Sequence, residues 1–305
     1  MLGRFGRDAG SLLGVEIASG SVRLLQLQRR RGRHAVSAWA VEPFEAPTGH
    51  WSGHPAVVAK ALQRAWQRSG CRQRRAAVAL PGSEVICKVH RLPAGLCESE
   101  MEAQLLAEAE RLFPFPLQDL ALDFQLLEAV PGQVDEVSVL VGACRQRLLE
   151  PLEQVFDRAG LQIMTVEVDS LALARTLAPG RLGTVAVLRI EATCATVHTW
   201  PEPFMPQRLE LRFVPEQNKA QRLERIGHWL RSTLSGTPIE CVRVALSDGP
   251  DDGWVDGLAQ QSTMPCESLW PFAGVEVAGL ALDDRLSCRG ASMALAYGLA
   301  QGGLQ

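Results

Sequence analysis

The sequence predicts an α/β protein made of two copies of one β-β-β-α-β unit, with an α+β subdomain inserted between them. Three observations lead there. Three short runs rich in Val, Leu and Ile, an amphipathic stretch and a closing apolar run occur twice in the same order. The spacing agrees, with 64 residues from Glu16 to Leu80 in the first copy and 57 from Arg189 to Leu246 in the second. Between the copies, residues 83–162 carry strand and helix patterns of their own.

In the first copy, Leu12 to Ile17, Val22 to Arg29 and Ala35 to Val41 read as strands, separated by the Ala18-Ser19-Gly20 corner and the Arg31-Gly32-Arg33 turn. The helix expected over 55–69 gathers Val57, Val58, Ala61, Leu62, Ala65 and Trp66 on one face and stops at Gly70. Ala76 to Leu80 is a buried-type strand closed by Pro81-Gly82.

The insertion begins with an extended run, Ser83 to Leu92. Met101, Leu105, Ala109 and Leu112 stripe a helix from about Glu98 to Phe113, which Phe113-Pro114-Phe115-Pro116 ends because proline cannot continue it. Strands at 122–128 and 136–143 and a helix at 146–159, stopped by Gly160, complete it. The second copy has strands at 184–190, 194–200 and 207–213 and a helix over 217–234 with Leu223, Ile226, Leu230 and Leu234 on one stripe. Cys241 to Leu246 is its closing strand, followed by Ser247-Asp248-Gly249. The expected division is 1–82 plus 163–180 for the first half, 83–162 for the inserted subdomain and 181–305 for a reduced second half.

Composition narrows the function classes. The chain has 305 residues, enough for two cores, and its 47% hydrophobic and 21% charged content is that of a folded globular protein. A net charge of −3 gives no electrostatic case for nucleic acid. Basic residues do cluster, at Arg29-Arg30-Arg31 with Arg33 and at Arg72, Arg74 and Arg75, as a solvated turn between strands or as a phosphate or lipid contact. Eight cysteines without a Cys-x-x-Cys pair argue against a zinc ribbon and for a reducing compartment. No stretch approaches the ~20 apolar residues of a membrane span, and the N-terminal residues lack a signal-peptide pattern, so a cytoplasmic location is expected.

Three small constellations carry no catalytic expectation. His50 and His54 have i, i+4 spacing, but Gly53 and Pro55 break a helix through them, so no metal site is expected. Ser83 lacks the Gly-x-Ser-x-Gly frame of a nucleophile elbow. Asp251-Asp252 suits the start of a helix.

The duplicated unit with its insertion resembles the actin-like ATPase superfamily (RNase H-like halves) and, more narrowly, the PilM family of type IV pilus assembly proteins, including the shorter MshI-type relatives. The resemblance rests on Leu13 to Arg23, on Ala77 to Ser83 and on Lys88 to Leu96. Phe113-Pro114-Phe115-Pro116-Leu117, Leu122 to Gln125, Val141 to Arg145 and Ala159 to Leu173 with its Asp169-Ser170-Leu171-Ala172-Leu173 run add to it. It implies a cytoplasmic protein, peripheral at the inner membrane, that docks the N-terminal tail of an inner-membrane PilN-like partner in a groove between the inserted subdomain and the first half. Ile86, Lys88, Phe113 and Phe115 are its expected lining, with a structural role in the subdomain core as the competing reading for both phenylalanines. Whether the chain forms homo-oligomers stays open.

The resemblance also implies a nucleotide cleft, with Glu16, Ser19, Gly20, Ser21, Arg189 and Gly249 at its motif positions. All three motifs depart from the family pattern. Glu16 replaces an aspartate and Ala18 a glycine. Arg189 stands where an acidic Mg²⁺-organising residue belongs, and Glu191 replaces a glycine. The Leu246 to Asp251 stretch lacks a Gly-Gly pair. Arg189 is expected to pair with Glu16 across the cleft or to attract a bare phosphate. The expectation is therefore a binding scaffold with no catalytic residues, no metal and no resident cofactor. The alternative is an ATPase whose ATP and Mg²⁺ state controls partner binding in pilus or type II secretion assembly, and a third reading is a sugar or acetate kinase on the same fold.

Overall fold

The computed structural model describes residues 12–30, 33–46, 50–127, 135–178, 180–202, 205–247, 251–277, 286 and 289–304. The first sheet is built from β1 (Leu13–Ile17), β2 (Ser21–Arg30), β3 (Arg33–Pro43), β4 (Arg75–Leu80) and β8 (Gln162–Val168). The second uses β9 (Val185–Ile190), β10 (Cys194–Glu202), β11 (Met205–Arg212), β12 (Cys241–Leu246) and β13 (Cys266–Ser268). Their orders correspond strand for strand, β3-β2-β1-β4-β8 and β11-β10-β9-β12-β13, with the first three antiparallel and the rest parallel. The short β14 (Glu276–Val277) joins the outer edge of β3.

Local chemistry sets the element ends. Pro55 opens α1 (Pro55–Ser69) and Gly70, at φ 66°, closes it in the left-handed conformation that favours glycine. Glu100 in the first turn of α2 (Glu98–Leu112) accepts from the Cys97 backbone N–H at 2.8 Å. Asn218 and Gln221 cap α5 (Lys219–Leu234) reciprocally, at 3.0 Å each way.

The insertion is a three-stranded antiparallel sheet ordered β5-β7-β6, from β5 (Ile86–Pro93), β6 (Leu120–Leu126) and β7 (Glu136–Arg145). Helix α2 covers one face, burying Met101 and Leu105 against Leu92, Val139, Val141 and Ala143. Helix α3 (Glu150–Ala159) does not belong to this core. Its Leu152, Val155, Phe156 and Ala159 pack with Val58, Leu62 and Ala65 of α1 in the core of the first half. The expected insertion boundary at 162 therefore moves back to about β7, because the apolar stripe of α3 faces the first sheet.

The C-terminal helix α7 (Ala294–Gly302) likewise departs from the expected division. It lies on β1 and β2, with Ala296, Tyr297 and Ala300 against Leu25, Leu27 and Val36. Gly14 permits this, since a β-carbon there would run into the Ala296 carbonyl oxygen. Gly298 does the same against Ala172 in α4 (Asp169–Ala174). A chain end expected in the second half thus buttresses the first. Between the halves lies an apolar core of Leu12, Ala77, Ala172 and Leu173 with Val187, Trp200, Ala245, Leu269, Leu295 and Leu299. Among the described residues, no helix is long and apolar enough to cross a membrane.

Candidate functional site: the cleft between the halves

Above that apolar core the two sheets face one another through polar residues that alternate with apolar ones. In β1 and β2 the register sets Glu16 opposite Arg23, and both side chains are 2% exposed. In β9 to β11 it sets Arg189 beside Thr196 and Glu210, and Val187 beside His198 and Arg208. The period of two explains the grouping, because every second side chain points to the same face. The other face of the second sheet is apolar and covered by α5 and α6 (Trp254–Ser262).

Glu16 is the centre of this layer. Its Oε1 accepts from Arg23 Nη1 at 3.0 Å and from Arg189 Nη2, so one carboxylate oxygen joins both halves. Arg23 Nη2 continues to the Ser247 carbonyl at 3.2 Å, and Arg189 lies 3.4 Å from Glu191. Burial by itself lowers the pKa of Arg189, but Glu16, Glu191 and Asp169 outweigh it and raise the value above its ordinary range. Glu16 Oε2 and Arg23 Nε are buried without a hydrogen-bond partner. Two guanidinium groups on one carboxylate make a setting that attracts an anion and opposes a divalent cation.

A second clasp lies beside the first. Asp169, at the start of α4, accepts from the backbone N–H groups of Gly82 (2.8 Å) and Ser170 (2.7 Å) through Oδ1. Its Oδ2 receives Arg208 Nε from the second half at 3.2 Å. Arg208 also reaches Ser83 Oγ (3.3 Å) and Glu210 (3.1 Å). Ser170 Oγ meets His198 Nδ1 at 2.8 Å, and Trp200 Nε1 donates to the Ser170 carbonyl at 3.1 Å. His198 is fully buried, and its pKa falls to about 4 through burial, assisted by Arg189 and Arg208 and opposed by Asp169. Asp169, Ser170 and His198 are the residue types of a hydrolase triad, but the carboxylate holds the serine rather than the imidazole and all three are buried. Their arrangement joins the halves.

The remaining motif residues sit at the turn that follows β1. Ser19 and Gly20 are exposed and Ser21 is buried. The Ala18 N–H donates to the Ser21 carbonyl at 2.9 Å and the Phe44 N–H to the Gly20 carbonyl at 3.0 Å, so two carbonyls of this corner are spent on the hairpin itself. Ala18 has a negative φ, so the alanine in place of glycine brings no left-handed strain. Gly249 lies outside the described residues. The structure thus brings Glu16 and Arg189 together and leaves Ser19, Gly20 and Ser21 engaged in the adjacent turn.

Arg23, Asp169, Ser170, His198 and Arg208 are site residues that the sequence alone does not single out. The signal was present, since Arg23 and His198 interrupt otherwise apolar strands, but which face they shared needed the register.

The expected partner surface is built on the inserted subdomain. Phe113 is 2% exposed and belongs to its core, the competing reading that the sequence offers for it. Phe115 is half-buried, with the Arg145 guanidinium 5.1 Å from its ring centre. Ile86 is half-buried against the same core. Lys88 is exposed, and its Nζ donates to the Leu112 carbonyl at 2.5 Å, completing the C-terminus of α2. Strand β5 pairs only with β7, leaving its other edge open among the described residues. Separately, an open cleft of about 380 Å³ lies between the end of β3 and α1, lined by Pro43, Phe44, Glu45, Val57, Lys60 and Arg64. None of the expected site residues lines it.

Comparison with known proteins places this architecture. Residues 14–194 match the family described as type IV pilus assembly protein PilM. A chain of a solved PilM-PilN type IV pilus biogenesis complex superposes with a TM-score of 0.74 at 21% identity, over 97% of this chain and 99% of that one. Ethanolamine utilization protein EutJ from Carboxydothermus hydrogenoformans gives 0.54 at 11% identity, over 95% and 88%. At these identities the likeness is one of fold.

Proposed function

This chain belongs to the PilM family of type IV pilus assembly proteins and has an actin-like fold, and on that premise we propose that it is a cytoplasmic scaffold for pilus biogenesis. It holds the N-terminal tail of an inner-membrane PilN-like protein and does so without ATP hydrolysis. The observation that carries this reading is the Arg189–Glu16 pair. Where an actin-type site needs an acidic residue from each half around Mg²⁺, this protein sets a cation against an anion and joins the halves directly. A magnesium ion there would face Arg23 and Arg189, each opposing the divalent charge by roughly 8 kcal/mol at 4 Å and an effective dielectric near 20. The residues do not fit Mg-ATP.

The tail would be read by the inserted subdomain and the first half. The open edge of β5 offers backbone groups for strand addition, and Phe115 with Ile86 offers apolar contact. The test is calorimetric titration of the folded protein with a synthetic peptide of the PilN-like tail, with and without Mg-ATP. Binding that is indifferent to Mg-ATP supports the scaffold. Binding that appears only with Mg-ATP overturns it in favour of a nucleotide-controlled switch.

A further inference from the structure

Two basic stretches about 40 residues apart in sequence, one at Arg29 in β2 and one over Arg72–Arg75, converge on one end of the first sheet. The register fixes which end. Leu13 lies level with Gln26 in β2 and Ala76 in β4. From that level β2 runs outward to Arg29, while Arg72, Arg74 and Arg75 lead in toward β4. The Cys71 thiol on the Gln26 side-chain oxygen (3.1 Å) ties the two stretches together. Arg74 then extends the surface to a third element, donating to the Gly160 carbonyl at 2.8 Å just beyond Arg158 in the last turn of α3. The cleft residues Glu16 and Asp169 lie at the opposite end of the same strands.

These arginines differ from most others in the molecule. Arg64 and Arg68 are matched by Glu42, Arg145 by Asp119 and Arg243 by Glu267. Among the described residues, Arg29, Arg72, Arg75 and Arg158 form no ion pair, and Arg74 stacks on Trp66 at 4.6 Å rather than meeting a carboxylate. Arg29, Arg72, Arg74 and Arg158 are exposed. Against the five stand Asp157 in α3 and Glu276 in β14. In a chain of net charge −3, unmatched positive charge from three elements gathered at one end is a local property, not an overflow of composition.

We propose that this end of the first half rests on an anionic lipid surface, with phospholipid phosphates meeting Arg29, Arg72, Arg75 and Arg158. Guanidinium groups suit phosphate oxygens because their planar fork donates two parallel hydrogen bonds. The contact adds a second attachment to the tail of the proposed partner, and rests on that reading only in placing the protein at a membrane.

The test is flotation of the full chain with vesicles of phosphatidylcholine alone and of phosphatidylcholine mixed with phosphatidylglycerol. At low salt the protein floats with the mixed vesicles and not with phosphatidylcholine. At about 1 M salt, where the screening length is about 3 Å, it stays at the bottom. Each exposed arginine reversed, as Arg72→Glu or Arg158→Glu, lowers partitioning at least about fivefold. Arg29→Glu, on a separate hairpin, gives the same loss and guards against a local folding effect in the α1–β4 region. Equal recovery with both vesicle types, or partitioning untouched by the reversals, overturns the proposal. So does retention on duplex DNA as strong as on the anionic vesicles, which would make the surface a general polyanion contact. Tail-peptide titration of the same reversed variants keeps the two readings apart, since that binding must survive the reversals.

Discussion

Arg189 and Glu16 occupy corresponding positions of the two halves, and the guanidinium of one donates to the carboxylate of the other. Arg189 lies level with Ala245 of the closing strand, and Glu16 follows Val15, which lies level with Val78, so Glu16 comes beside Ala79. The internal repeat has thus placed opposite charges at equivalent sites, and the cleft of a duplicated fold is closed by its own residues. Burial gives the arrangement its force. Each group has left water, and only its partners offset the cost of that burial.

Removing the shared anion is expected to cost more than removing one cation. Glu16→Ala leaves Arg23 and Arg189 buried without their common acceptor and should destabilise the fold by about 3–5 kcal/mol. Arg189→Ala leaves the Arg23–Glu16 pair intact and should cost less. The double variant should fall short of the sum of the singles, with a coupling of about 1–3 kcal/mol. Urea denaturation of the four proteins measures it, and additive losses would mean that the pair is decorative.

His198 gives the protein a pH dependence of defined sign. Its folded pKa of about 4 lies below the ordinary 6.5, so the unfolded chain binds the proton first as pH falls. The contribution is complete above pH 6.5 and is lost between 6.5 and about 4, at up to a tenfold shift in the unfolding constant per pH unit. His198→Gln should flatten that segment of the stability–pH curve relative to the parent. An unchanged slope would place the titration elsewhere.

The two phenylalanines of the Phe113-Pro114-Phe115-Pro116 run should separate. Phe113→Ala opens a cavity in the subdomain core and should cost about 3–5 kcal/mol. Phe115→Asp, at a half-buried site, should leave a folded protein by circular dichroism and weaken binding of the partner tail. Global unfolding in the second case would assign Phe115 to the core as well.

Gly14→Ala tests the seating of α7. The added methyl meets the Ala296 carbonyl, so the helix must shift or detach, at a cost of about 1–3 kcal/mol. Faster hydrogen exchange in α7 than in α3 would be the signature, and uniform exchange would contradict it.

Much of this was legible in the sequence. The duplicated order, the helices α1, α2 and α5 and the strands other than β8, β13 and β14 follow from periodicity and from stops such as Gly70 and the prolines after Phe113. Family membership followed from motifs in the first two thirds of the chain. The destinations of α3 and α7 did not, because an apolar stripe states that a helix is covered but not by which sheet. The second clasp was hidden for a related reason. Asp169, His198 and Arg208 lie on three elements, and only the strand register brings them to one face. The charge pattern at Glu16 and Arg189 was readable because it broke a motif.

The most direct measurement is calorimetric titration of the folded protein with Mg-ATP. With Arg189 and Glu16 closing the cleft, no binding heat is expected at millimolar nucleotide, and none of the thermal stabilisation that a bound ligand gives. Micromolar binding, lost in Glu16→Ala, would contradict it and return the cleft to nucleotide chemistry.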